Sequence, residues 1–444
     1  MNKHKYLSLA ALILILLGIY ILWFEKPFIS NPSNSLIAND SLFADSITKI
    51  SFYYPEDLHD FTITKIDKDK WEVIFGGKDD GDSISIRSFI NSLKNIPVYR
   101  TLSATEALNE ATYGLDSPRF LLTIQGTSTT QYKVGNITPD GAYFYLKQSK
   151  KSDIYLISTQ QIEKWFRKPD DFRLRNLTDG QVQDIQELQI TNPHGTLILS
   201  RDGNQWIEKS KPDYILDSYE IDEILWKLVS GQIRNFGSPV SIYKKERKAQ
   251  PKYRFSIKYS NGKILNFDLT NEDKTGSVDW IQSSDRRYLL GIDSTITMPI
   301  KNLSIDQIRD KSIFSFKVDD IQKIERKGTN PLEINKRNSD WYINPNNHLC
   351  NYSSVENTLW SLNTASLYLF TQDKNLNNPV YGLSTPQLIL SCMDNKGGLY
   401  KIIVGKETHD NKGYYAYSNR YKEIFIIHKS TMNILNFSRD DIKK

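Results

Sequence analysis

Lys70-Trp71-Glu72-Val73, Gln205-Trp206-Ile207-Glu208 and Asp340-Trp341-Tyr342-Ile343 are three versions of one short phrase, with their tryptophans 135 residues apart. Similar text surrounds all three. Upstream stand Ser46-Ile47-Thr48-Lys49-Ile50, Asp184-Ile185-Gln186-Glu187-Leu188 and Asp320-Ile321-Gln322-Lys323-Ile324, each alternating apolar and polar residues as a half-buried strand does. A second strand candidate follows at 61–66, 196–200 and 332–336, and Asp202-Gly203 in the middle version is a hairpin signal. The chain therefore reads as one unit written three times, over 47–177, 184–314 and 320–442.

Downstream of each tryptophan, apolar residues recur at spacings of three and four. They are Ile86, Phe89, Ile90 and Leu93, then Ile221, Ile224, Leu225 and Leu228, then Val355, Leu359, Trp360 and Leu362. Each set predicts one amphipathic helix per copy. A β-rich second half follows, in copy one at 120–124, 131–134, 142–147 and 154–157, with a short helix at 160–166. Strands, helix, strands, helix is an α+β pattern, mainly antiparallel, and the Tyr, Phe, Ile and Thr content suits strands.

Ahead of the copies, residues 6–24 form a run of 19 residues without a charge. At about 1.5 Å per helical residue the run matches the roughly 30 Å hydrocarbon core of a bilayer. It is expected to be an uncleaved transmembrane signal anchor, with 1–5 cytoplasmic and 25–46 a linker. Lys3 and Lys5 precede it, and Tyr20 and Trp23 lie near its far end, where amphipathic aromatics favour the headgroup layer. No small-x-small cleavage site follows closely, as a removable signal peptide would need. The body of the protein is then expected on the outer, extracytoplasmic (periplasmic) side of the cytoplasmic membrane.

The 444 residues are 39 % hydrophobic and 12 % aromatic, which excludes a disordered stalk. A net charge of +5 with interspersed signs carries no nucleic-acid footprint. Cys350 and Cys392 make neither a disulfide framework nor a tetrahedral metal site, and one bridge or two buried thiols both stay open.

Between the halves of a copy stand Tyr113-Gly114-Leu115-Asp116-Ser117-Pro118 and Tyr381-Gly382-Leu383-Ser384-Thr385-Pro386, followed by Val134-Gly135 and Val404-Gly405. Copy two keeps only Pro251, after Arg247-Lys248-Ala249-Gln250. In copies one and three these phrases, with the tyrosine-rich Tyr143-Phe144-Tyr145 and Tyr414-Tyr415-Ala416-Tyr417, resemble the DUF4340 family. That resemblance implies single-pass, membrane-anchored extracytoplasmic proteins, often encoded beside gliding-motility-type ABC transporter components, with no assigned activity. It implies no reaction.

On physical grounds Gly114 and Gly382 supply a positive φ, and Pro118 and Pro386 start strands where no amide donor is needed. Tyr113 and Tyr381 have a second reading as cleft residues, and the tyrosine strands as a glycan or peptide platform. Trp71, Trp206 and Trp341 read as core markers. His4, His59, His194, His348, His409 and His428 are scattered, without metal-ligand spacing. Gly76-Gly77-Lys78-Asp79-Asp80-Gly81-Asp82 lacks the ligand order of a calcium loop and reads as a solvated hairpin tip. Asp170-Asp171 and Asp440-Asp441 suit capping or solvation, since adjacent side chains point apart. The expectation is a protein without cofactor, metal or catalytic residues. It would be a non-enzymatic accessory or scaffold of an envelope or ABC transporter complex, with a ligand-binding subunit for lipid, glycan or peptide as the alternative. A carbohydrate-acting enzyme would need two carboxylates facing each other across a groove, and no such pair is legible.

Overall fold

The computed structural model describes residues 46–55, 60–94, 96–107, 109–241, 251–272 and 276–443. The expected anchor at 6–24, the cytoplasmic stretch before it and all of the linker but its last residue lie outside the described residues. Among the described residues no helix is long and apolar enough to cross a membrane. The α+β assignment headed by a transmembrane helix is therefore corrected: the described chain is mostly antiparallel β-sheet, in three repeat-like sheets of nine, eight and nine strands. The misreading has a local cause. The two strand-rich halves of a copy, separated in sequence by a helix, join edge to edge as one sheet.

The first sheet contains β1 (Lys49–Tyr53), β2 (Phe61–Asp67), β3 (Lys70–Ile74), β4 (Lys78–Gly81), β5 (Arg100–Leu102), β6 (Phe120–Gln125), β7 (Thr129–Ile137), β8 (Tyr143–Gln148) and β9 (Ile154–Ser158). Their order is β4-β3-β2-β1-β6-β7-β8-β9-β5. The second contains β10 (Ile185–Asn192), β11 (Gly195–Asp202), β12 (Gln205–Glu208), β13 (Ile233–Pro239), β14 (Arg254–Tyr259), β15 (Ile264–Glu272), β16 (Val278–Ser283) and β17 (Tyr288–Asp293). It runs β12-β11-β10-β14-β15-β16-β17-β13. The third contains β18 (Ile321–Gly328), β19 (Leu332–Arg337), β20 (Asp340–Ile343), β21 (His348–Leu349), β22 (Leu369–Phe370), β23 (Leu388–Asp394), β24 (Leu399–Glu407), β25 (Gly413–Ser418) and β26 (Phe425–His428). It runs β21-β20-β19-β18-β23-β24-β25-β26-β22.

One topology thus recurs. The chain leaves the sheet at one edge, passes through a helix, re-enters at the opposite edge, and then returns to the centre, where β6 pairs with β1 and β23 with β18. In copy one the helix (Ser83–Leu93) buries Ile86, Phe89, Ile90 and Leu93 in one cluster with Phe52, Leu122, Val134 and Phe144. The return segment packs elsewhere: Tyr113, Leu115 and Ile154 form a separate cluster with Leu102 and Tyr145. Because strand side chains alternate faces, Phe144 and Tyr145 lie on opposite sides of β8. The helix therefore crosses one face and the return segment the other.

The helices begin at Asp82, Asp217 and Asn351, whose side chains accept hydrogen bonds from Ile84, Tyr219 and Ser354 amides at 3.0, 3.0 and 3.1 Å. These caps satisfy amides that the first turn leaves unpaired. The terminal segment expected as a helix at 160–166 is a helical turn, Thr159–Ile162, followed by a 3-10 turn, Glu163–Trp165. By compactness the chain forms two units. One holds the first copy with β13, β16 and β17; the other holds β10, β11, β12, β14 and the third copy.

Asp217→Ala should lower stability by about 1 kcal/mol, the cost of a lost cap. The check is a shift of the urea midpoint, with Asp217→Asn staying near wild type.

Candidate functional site

The family-like residues of copy one converge on the return crossing. Glu110–Tyr113 is a 3-10 turn capped by Asn109, and Gly114 closes it at φ 66°. Leu115 then buries completely and donates its amide to the Glu110 carbonyl at 3.0 Å. The Tyr113 ring lies 4.8 Å from that of Tyr145. Beneath the turn sits Gly135, where a Cβ would stand 2.2 Å from the Tyr113 carbonyl oxygen. The pairing register of β7 slips there, between Val134 and Ile137, as a bulge requires. Pro118 precedes Arg119, whose amide donates to the Val134 carbonyl at 2.9 Å.

Copy three repeats this geometry. Gly382 adopts φ 65°, Tyr381 and Tyr415 rings lie 4.9 Å apart, and a Cβ on Gly405 would stand 2.0 Å from the Tyr381 carbonyl oxygen. That oxygen accepts the Lys406 amide at 2.8 Å, while Gln387, after Pro386, donates to Val404 at 2.9 Å. Leu383 is buried. The Tyr381 hydroxyl donates to Asp373 at 2.8 Å, which pushes its pKa up. Both phrases of each outer copy are thus one device, a backbone-to-backbone approach that a side chain would block. In copy two Thr270 stands 135 residues from each glycine and donates its hydroxyl to the Trp280 carbonyl at 2.8 Å. Residues 242–250, where its phrase would fall, lie outside the described residues.

Trp71, Trp206 and Trp341 are 4, 2 and 1 % exposed, and the Trp206 indole donates to Asp222 at 2.9 Å. The tyrosine strand of copy one, read also as a glycan or peptide platform, is partly covered, since Tyr143 stacks on Tyr99 at 4.0 Å. The stretch 76–82, read as a solvated hairpin tip, is corrected. Asp79 is buried and accepts from Arg286 at 2.9 Å, and Asp82 is a helix cap. Burial follows from strand pairing, because β4 is the edge of the sheet rather than a free loop. Asp171 and Asp441 accept the amides of Lys168 and Ser438 at 3.0 and 2.8 Å. Asp170 and Asp440 pair with Arg173 and Lys443 at 2.9 and 2.6 Å. Among the described residues no group of His, Cys, Asp and Glu could hold a metal; His4 and His59 lie outside them. Cys350 and Cys392 are buried free thiols.

Two arginines escaped the sequence reading. Arg173 and Arg309, each with a side chain 3 % exposed, end the first and second copies and enter the next one. The Arg173 guanidinium lies 4.0 Å from the Tyr288 ring and 4.9 Å from Phe236 on β13, and 3.8 Å from the Asp79 carboxylate. Arg309 lies 3.9 Å from the Tyr214 ring and 3.2 Å from Phe370 on β22, and bonds to Glu423. Alongside, the amides of Ile233 and Leu367 donate to the carbonyls of Arg175 and Lys311 at 2.7 and 2.8 Å. Isolated bridges Gly81–Arg173, Leu216–Arg309 and Cys350–Lys443 place the three cationic residues at one position of the repeat. A signal was present: Asp170-x-x-Arg173, Asp306-x-x-Arg309 and Asp440-x-x-Lys443 recur at the repeat spacing.

Grooves lie between the long helix and the terminal segment. That of copy two has a volume of about 490 Å³ and includes Glu220, Glu223, Ile224 and Lys227, facing Pro299, Asn302 and Ile308. That of copy one, about 320 Å³, uses the corresponding Ser85, Ser88, Phe89 and Ser92, facing Lys164, Arg167 and Phe172.

A family profile described as "Domain of unknown function (DUF4340)" matches residues 71–256 and 341–444, well over half of the chain. No curated protein and no solved structure matches it.

Gly135→Ala and Gly405→Ala should each destabilise by about 1–3 kcal/mol or more, because the clash is with backbone. Gly141→Ala, where a Cβ meets nothing within 4 Å and only φ 75° resists, should cost about 1 kcal/mol; melting curves of the three variants check the order. Burial pushes the Cys350 and Cys392 thiols up to about 11 and about 12. Both should resist a thiolate-selective reagent at neutral pH until urea unfolds the chain, when two equivalents react.

Proposed function

Because this chain belongs to the DUF4340 family, described only as a domain of unknown function, we propose that it is a non-enzymatic, membrane-associated extracytoplasmic protein. It serves as an accessory or scaffold of a cell-envelope complex of the gliding-motility ABC transporter type. The observation that carries this reading is where the buried charge goes. Arg173 with Asp79 and Arg286, and Arg309 with Glu423, join one copy to the next, behind aromatic rings that exclude water. Ionic groups so placed hold each outer copy against its own part of the second copy, and tandem repeats joined in this way serve commonly as binding surfaces. The uncharged sequence at 6–24 supports a place at a membrane.

A second reading, a ligand-binding subunit for lipid, glycan or peptide, is favoured by the groove of about 490 Å³ in copy two. Its volume falls within the roughly 300–1,000 Å³ of ligand pockets. Crosslinking the tagged protein in its native membrane, followed by identification of captured species, separates the two. Transporter components among the captured proteins support the scaffold; a co-purifying lipid or glycan without them overturns it.

Arg309→Met leaves the Glu423 carboxylate buried without its partner and should destabilise by about 3–5 kcal/mol. Arg309→Met with Glu423→Met should recover most of that loss, and denaturant midpoints of the single and double variants measure it.

A further inference from the structure

We infer that the groove on the helical side of the second copy docks a basic amphipathic helix of a partner protein. The inference rests on the scaffold reading and names the partner's chemistry. Ile224, Leu303 and Ile308 form a buried apolar floor, and Pro299 and Met298 extend it. The rim is acidic: Glu220 and Glu223 stand against one cation, Lys227, which pairs with Glu223 at 3.1 Å. Beside it the helix leaves large apolar side chains in solvent. Tyr219 is 75 % exposed and Trp226 61 %, while Met298 opposite is 58 % exposed.

Residues 219, 223 and 226 follow helical spacing, so Tyr219 and Trp226 share a helix face with Glu223, which lines the groove. An open trough with an apolar floor and an acidic rim, flanked on its helix by exposed aromatics, matches an amphipathic helix bearing Lys or Arg beside its apolar face. Tryptophan is among the side chains enriched where a few residues dominate binding energy at protein contacts.

The first copy supplies an internal control. At the same positions it has Ser85 and Ser88 for the two glutamates, with Lys164 and Arg167 against Asp171, so the sign of the charge is reversed. The first groove should reject the ligand that the second accepts, because like charges across a contact oppose association.

The test uses the full-length protein and a fluorescein-labelled synthetic Leu/Lys amphipathic helix, with a Leu/Glu helix as comparison, read by fluorescence anisotropy. The Leu/Lys helix should bind saturably and the Leu/Glu helix should not. Trp226→Ala should weaken binding by about tenfold or more, and Glu220→Lys with Glu223→Lys should abolish it. Lys164→Ala with Arg167→Ala should leave it unchanged. All substitutions are at surface positions, and unchanged melting confirms folding. Equal binding of both helices, or affinity indifferent to Trp226→Ala and to the charge reversal, overturns the inference. If the helix fails while crosslinking still captures transporter proteins, the groove assignment falls and the scaffold reading stands. If neither captures a protein, both fall.

Discussion

In each copy the strand before the long helix and the strand after it occupy opposite edges of one sheet, so the chain must pass from edge to edge and come back to the centre, and in copy one the two crossings use opposite faces. Most other features answer to this constraint. The outward crossing is a helix, which satisfies its own amides and covers the core face with an apolar stripe. The return crossing has no such self-sufficient form in the outer copies. It lies so close to the sheet that the Tyr113 and Tyr381 carbonyls occupy the space of a side chain at Gly135 and Gly405. The left-handed Gly114 and Gly382 then turn the chain towards the centre, and Leu115 and Leu383 anchor it there.

Once the last strand of a copy has been placed, its terminal segment carries a cation toward the next copy. Burying a guanidinium in apolar surroundings is costly unless carboxylates and acceptors meet it. Arg173 finds Asp79, Asp170 and the faces of Tyr288 and Phe236, and Arg309 finds Glu423, Asp306, Tyr214 and Phe370. Cation–aromatic attraction strengthens as water is excluded, so the rings add to what the carboxylates provide. The contacts follow one plan at both junctions while the partners differ: Tyr288 and Glu423 sit at one repeat position, 135 residues apart. Divergent copies have thus kept the function of a position while changing its residue.

The mixture of legible and illegible features has a physical pattern. Strand alternation, the three-and-four helical spacing and the glycine phrases are local, and each survived as an element or turn where the pattern placed it, although Trp360, counted in the third helix's apolar set, is 60 % exposed. The assignment of α+β failed because it weighed helices against strands along the chain, whereas sheet dominance depends on β1 pairing with β6 across some 70 intervening residues. Asp79 looked solvated among glycines and aspartates, and only the pairing of β3 with β4 and the approach of Arg286 buried it.

The residue order alone determined the repeat, its tryptophan cores and its Tyr-Gly-Leu and Val-Gly turns, because those properties arise from neighbours within a few positions. Only the tertiary structure decided that the turns and the glycines touch and that each sheet is continuous. It also decided that Arg173 and Arg309 cross between copies and that one helical groove is acidic and its counterpart basic. Each of these depends on residues brought together from distant parts of the chain, where burial and charge are set by what packs alongside.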